Sequence, residues 1–105
     1  MKLLTKEIIS KFPPLYANEE KDPKDVRIIA KFFAPVGYWT WYATEFDGED
    51  RFFGYVAGDF PELGYFSLSE LQGIKLQFGL GIERDLHYGY EHTLEEIMDK
   101  HNQVA

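Results

Sequence analysis

Apolar residues recur at every second position over long stretches of the first two thirds of the chain. Val26–Ala34, VRIIAKFFA, puts Val26, Ile28, Ala30 and Phe32 on one face and Arg27, Ile29, Lys31 and Phe33 on the other, which is the period of a strand. Pro35-Val36-Gly37 then turns the chain. Tyr38–Phe46 reads as a second strand, with Trp39, Trp41 and Ala43 opposite Tyr38, Thr40, Tyr42 and Thr44, and its aromatic and β-branched residues suit a pleated surface. Asp47-Gly48-Glu49-Asp50 is a hairpin turn in which glycine accepts positive φ, and Arg51–Ala57 returns as a third strand. Gly54 inside that strand marks a bulge or the close approach of a neighbouring ring. Gly64–Phe66 follows as a short fourth strand, and Ile82–His87 is a candidate fifth.

Helical signals lie outside this block. Thr5 is an N-cap for a short helix over Lys6–Phe12, with Leu3, Ile8 and Phe12 able to fall on one side, and Pro13-Pro14 stops it. Ala17–Asp25 is polar, mixed in charge and proline-containing, so it is a loop. Ser67-Leu68-Ser69-Glu70 has the spacing of a capping box, opening a helix that Gly73 ends. Thr93-Leu94-Glu95-Glu96 repeats the spacing and opens a helix through about His101, with Glu95 and Glu96 near its positive end and Lys100 near the other. The expectation is an α+β fold: a mainly antiparallel sheet of four to five strands with two to three short helices, in a single domain over residues 1–105.

Composition narrows the chemistry. Cysteine is absent, which removes disulfides, thiolate catalysis, Cys-based zinc sites and iron–sulfur clusters. No apolar run is long enough to span a bilayer, and charges interrupt MKLLTKEIISKF too often for a signal peptide, so a cytoplasmic location away from membranes is expected. Charge is uneven: residues 1–44 hold seven basic against five acidic side chains, and residues 45–105 hold four against thirteen. Such a C-terminal half repels nucleic acid and attracts basic surfaces, or simply solvates the protein.

Eleven of the eighteen aromatic residues fall within Tyr38–Phe66. A sheet carrying helices on one side buries only one of its two faces, so part of the set Trp39, Trp41, Tyr38 and Tyr42 is expected at the surface unless the first helix and the loops cover the second face. The acidic run Glu45, Asp47, Glu49 and Asp50 has the oxygen chemistry of a cation site but not the spacing of an EF-hand loop, and it equally describes a hairpin tip of good turn formers. Glu83, Asp85 and His87 share one face of the fifth strand. There a carboxylate beside the imidazole would suit acid–base chemistry, or the group is an edge-strand charge cluster with Arg84 or Lys75. His92 and His101 have no recognisable metal spacing with His87, and Gly79-Leu80-Gly81 lacks the rest of a phosphate loop. No motif indicates a metal or a cofactor, and no motif supports an enzyme.

The segments LLTKE (Leu3–Glu7), PPLY (Pro13–Tyr16), KFF (Lys31–Phe33), WTWYATEFDGED (Trp39–Asp50), FFG (Phe52–Gly54), PELGYFSLSEL (Pro61–Leu71) and IERDLH (Ile82–His87) resemble the bacterial family called domain of unknown function 2958. The resemblance implies a small single-domain protein of a kind often carried on plasmids, phages and other mobile elements, with no activity to transfer residue by residue. It also implies interference with host defence, of an anti-restriction or anti-CRISPR type. The combined expectation is a non-enzymatic acidic module that binds a protein partner through a basic or apolar surface, with direct nucleic-acid binding disfavoured. Trp39, Trp41 and Tyr42 would anchor the contact, and Glu45, Asp47, Glu49, Asp50, Asp59 and Glu62 would steer it. Two alternatives stand beside it: a small metal-dependent or His/Asp hydrolase, and an accessory domain of a plasmid-maintenance complex. Oligomeric state is not legible in the sequence.

Overall fold

The alternating stretches and the turns between them dictate how the strands pair. The computed structural model of the chain describes residues 2–102. Four consecutive strands, β1 (Ala30–Phe33), β2 (Thr40–Phe46), β3 (Arg51–Ala57) and β4 (Glu62–Ser67), form an antiparallel meander. The two-residue β5 (Glu83–Arg84) closes the other edge, for a sheet order β4-β3-β2-β1-β5. Three short helices complete it: α1 (Lys6–Ile9), α2 (Leu68–Gly73) and α3 (Leu94–Asn102). The fold is α+β, on a five-stranded antiparallel sheet.

Local chemistry sets the helix starts. Thr5 Oγ1 accepts the Ile8 N–H at 3.3 Å at the head of α1. At α2, Ser67 Oγ accepts the Glu70 N–H at 3.0 Å while Glu70 answers to the Ser67 N–H at 3.4 Å, so the capping box is complete. At α3 only half of it forms: Thr93 Oγ1 accepts the Glu96 N–H, but the Glu96 carboxylate turns to His92 instead.

The strand alternation slips once. Ala43 faces Gly54 and Glu45 faces Phe53, leaving Thr44 as the extra residue of a bulge, with its hydroxyl bonded to the Phe53 carbonyl at 3.0 Å. The slip carries Phe46 onto the same face as Trp41 and Ala43, where strict alternation puts it opposite. Gly54 lies across from this irregularity. A Cβ there would collide with the Tyr42 carbonyl, so the close approach is made by backbone and not by a ring.

Both faces are covered. The first carries Ala30, Phe32, Trp41, Ala43, Phe46, Phe52 and Phe66 beneath Leu3, Leu4, Leu71 and Ile82, with Ile8 and Phe12 packed alongside. The second carries Tyr42, Tyr55 and Ala57 beneath Leu94 and Ile97 of α3. Val26 and Ile28 belong to this second cluster, although simple alternation groups them with Ala30 and Phe32. The cause is a change of partner. Residues 26–28 pair with the segment entering α3, through Ile28 N–H to His92 O and Leu94 N–H to Val26 O, before the chain joins β2 at Ala30. No helix among the described residues is long and apolar enough to cross a membrane.

Candidate functional site

Consecutive antiparallel strands place alternate connections at opposite ends of a sheet, and this separates the expected site residues. The β1–β2 and β3–β4 connections meet at one end; the β2–β3 hairpin lies at the other, roughly 20 Å away at the rise of an extended strand. The ring anchors and the acidic run Asp47, Glu49, Asp50 therefore do not form one surface.

At the hairpin end the acids serve the backbone. Asp47 Oδ1 accepts the N–H groups of Glu49, Asp50 and Arg51 at 2.8, 2.8 and 3.0 Å. Those donors, Glu49 and Asp50 foremost, hold its carboxyl below the usual range. Asp50 caps α2, taking the Ser69 N–H and hydroxyl, each at 2.8 Å. Glu49 remains an exposed turn charge. Among the described residues no group of three or more His, Asp or Glu side chains is arranged to hold a metal ion.

At the opposite end the rings are presented. Phe60 is 85 % exposed, Tyr38 64 % and Trp39 38 %. The Tyr38 hydroxyl donates to Asp59 Oδ1 and ties the two connections together, and that bond, ahead of burial, raises the Tyr38 pKa. Trp39 lies tilted against Trp41, centroids 5.8 Å apart, and its ring fills the space where a Cβ of Gly58 would be. Glu62, at the start of β4, is exposed beside this group. Trp41 and Tyr42 are not part of it. Both are buried, one on each face, because helices and loops cover both sides of the sheet. Of the expected anchors only Trp39 reaches the surface, with Asp59 and Glu62 beside it. Phe60, the most exposed ring of this end, went unmarked because a loop residue between Asp59 and Pro61 belongs to no periodic pattern.

Glu45 is the second departure. It is 4 % exposed, and its two carboxylate oxygens accept the N–H groups of Tyr16 and Asn18 at 2.8 and 2.9 Å. With the Phe46 N–H on the Pro13 carbonyl, this pins residues 13–18 across the second face of the sheet and holds Tyr16 at φ 72°, a left-handed conformation costly for a bulky residue. Under this strap a cleft of about 360 Å³ opens, floored by Thr44, Glu45 and Phe53 and walled by Tyr16, Leu63 and Tyr65. α3 covers the second face over β2 and β3 but leaves this strip toward β4 uncapped. Burial foremost, then a hydrogen bond with Tyr16 and the charge of Glu45, raises the Tyr65 pKa.

The expected acid–base group does not assemble. The strand ends at Arg84, so Glu83, Asp85 and His87 share no face. Asp85 Oδ1 accepts the His87 backbone N–H at 2.9 Å, and Oδ2 pairs with Lys31 at 3.8 Å. The His87 side chain is turned to solvent. His92 meets the exposed Glu91 and Glu96 carboxylates, and His101 lies 3.0 Å from the buried Tyr42 hydroxyl, with burial and the charges of Lys100 and Lys31 holding the His101 pKa below the ordinary value.

Comparison with known proteins adds one match. A family model described as "Protein of unknown function (DUF2958)" matches residues 3–104. No curated protein and no solved structure matches the chain.

Proposed function

Because the chain belongs to the DUF2958 family, whose description names no activity, we propose a function from its surface: a protein-binding module that docks through the ring-bearing end of its sheet. The observation that carries this reading is the group Tyr38, Trp39 and Phe60, exposed together on two adjoining connections with Asp59 and Glu62 beside them. Folding alone gives no reason to leave rings of this size in water, whereas tyrosine and tryptophan are preferred anchors of protein interfaces. The flanking carboxylates and the formal net charge of −7 favour a partner with a basic or apolar surface, reached by electrostatic steering. A protein that handles nucleic acid offers such a surface, and blocking it is the form of inhibition this polarity suits. The module acts by occupancy.

The test is capture of partners by the immobilised protein at two salt concentrations, compared among Phe60→Ala, Trp39→Ala and a doubly neutralised Asp59→Asn/Glu62→Gln variant. A partner held by the parent is lost with either ring variant, and the neutralised variant holds it less tightly at low salt. If every variant retains every partner of the parent, this end of the sheet is not the contact surface.

A further inference from the structure

The cleft on the second face has a chemistry of its own and does not depend on the ring-bearing end. Its floor contains a carboxylate that burial has almost wholly removed from water. Buried charges are ordinarily matched by a counter-charge, yet no Lys or Arg forms an ion pair with Glu45 among the described residues. Its two oxygens each accept one backbone N–H, which leaves further lone pairs on both for another donor.

Around it stand three rings. Tyr16, Phe53 and Tyr65 line the same cleft, with Phe53 edge-on to Tyr65 at 5.0 Å. Ring faces beside a carboxylate attract cations, and planar guanidinium groups most readily. One guanidinium is already placed in this way, that of Arg51 over the Tyr65 ring, 5.7 Å from its centroid, while lysines take up ring faces elsewhere. Arg51 does not line the cleft itself, and the charged residues at its mouth, Glu19 and Lys21, are exposed and offset each other.

We infer that this cleft is a receptor for an arginine side chain of a partner protein, with Glu45 receiving the guanidinium N–H groups and Tyr16, Phe53 and Tyr65 enclosing its plane. Leu63 extends the apolar wall along which the aliphatic stem of that arginine would lie. The volume of about 360 Å³ accommodates one such side chain with room for bridging water.

The experiment needs no identified partner. A capped Gly-Gly-Arg-Gly-Gly peptide is titrated into the isotope-labelled protein, and the backbone resonances are followed by NMR; the same peptide with citrulline replacing arginine is the neutral isostere. The arginine peptide is expected to shift Tyr16, Thr44 and Tyr65 saturably, and the citrulline peptide to bind at least about tenfold more weakly. Glu45→Gln should bring the arginine peptide down to the citrulline level. Since that change also loosens the 13–18 strap, Tyr65→Leu, which removes one side-chain bond to Tyr16 but keeps both Glu45 hydrogen bonds to the strap backbone, is the second variant and should weaken arginine binding severalfold. Equal binding of the two peptides, absence of saturable shifts at these three residues into the millimolar range, or full binding by both variants overturns the inference. None of these results bears on capture through Phe60 and Trp39, so the two readings fail separately.

Discussion

Two side chains, one absent and one buried, set the local geometry around the bulge of β2. Gly54 is the absent one: the Tyr42 carbonyl occupies the space any Cβ would need, beside the bulge at Thr44. Gly54→Ala must push β2 from β3 where both strands are central, and it should cost about 2 kcal/mol or more in urea denaturation, well above an ordinary surface change. Glu45 is the buried one. Its hydrogen bonds to Tyr16 and Asn18 are charge-assisted, and removing it strands two N–H groups while freeing Tyr16 from its left-handed conformation. Glu45→Ala should lose about 1.5–3 kcal/mol, the range for hydrogen bonds to charged groups. It should show as a lower denaturation midpoint at unchanged slope; a loss within the error of the midpoint would mean the strap holds without its tether. In sequence Glu45 looks like the first acid of a solvated turn. Only the bulge one residue earlier, which turns it inward onto the second face, reveals it as a floor.

Helix starts whose cause lies within four residues were largely legible; the partners and ends of strands were not. The capping box of α2 and the N-cap of α1 needed only Ser67, Glu70 and Thr5, and each formed as read. Val26–Ile28 reads as the continuation of β1, yet its partner is the segment before α3, which no local pattern announces. β5 stops after two residues because Asp85 bends the chain by taking the His87 N–H, so the alternation of Ile82–His87 was real in sequence and unused in structure. α3 itself carries a pH dependence. His101, near its end, has a pKa held below 6.5 in the folded state by burial and by Lys100 and Lys31. The unfolded chain then binds more protons through the window below 6.5, so stability is full above it and falls as the pH drops through it. His101→Gln should flatten thermal stability between neutral and mildly acidic pH relative to the parent. An identical pH profile in the variant would assign that slope to the carboxylates instead.

At the scale of the molecule, one sheet separates two cores, and β2 and β3 serve both. Trp41 and Phe52 pack on the first face while Tyr42 and Tyr55 pack on the second, alternating along the same two strands. That arrangement explains why ring counting misjudged the surface: a sheet covered on both sides hides both sets, and the exposed rings end up in the connections and along the strip α3 leaves bare. It also couples the two cores mechanically, because a strand cannot lose one face and keep its register on the other. Both tryptophans report from the first face, Trp41 within its core and Trp39 tilted against it, whereas α3 lies on the second. Ile97→Ala, which removes a buried α3 side chain on the second face, should therefore cost about 2–4 kcal/mol and lower the transition seen by tryptophan fluorescence as much as the one seen by far-ultraviolet dichroism. If the dichroism moved to lower denaturant while fluorescence stayed with the parent, α3 would be melting alone from an intact sheet. The second core would then be an appendage of the first, and the cleft beside α3 would open and close with that helix.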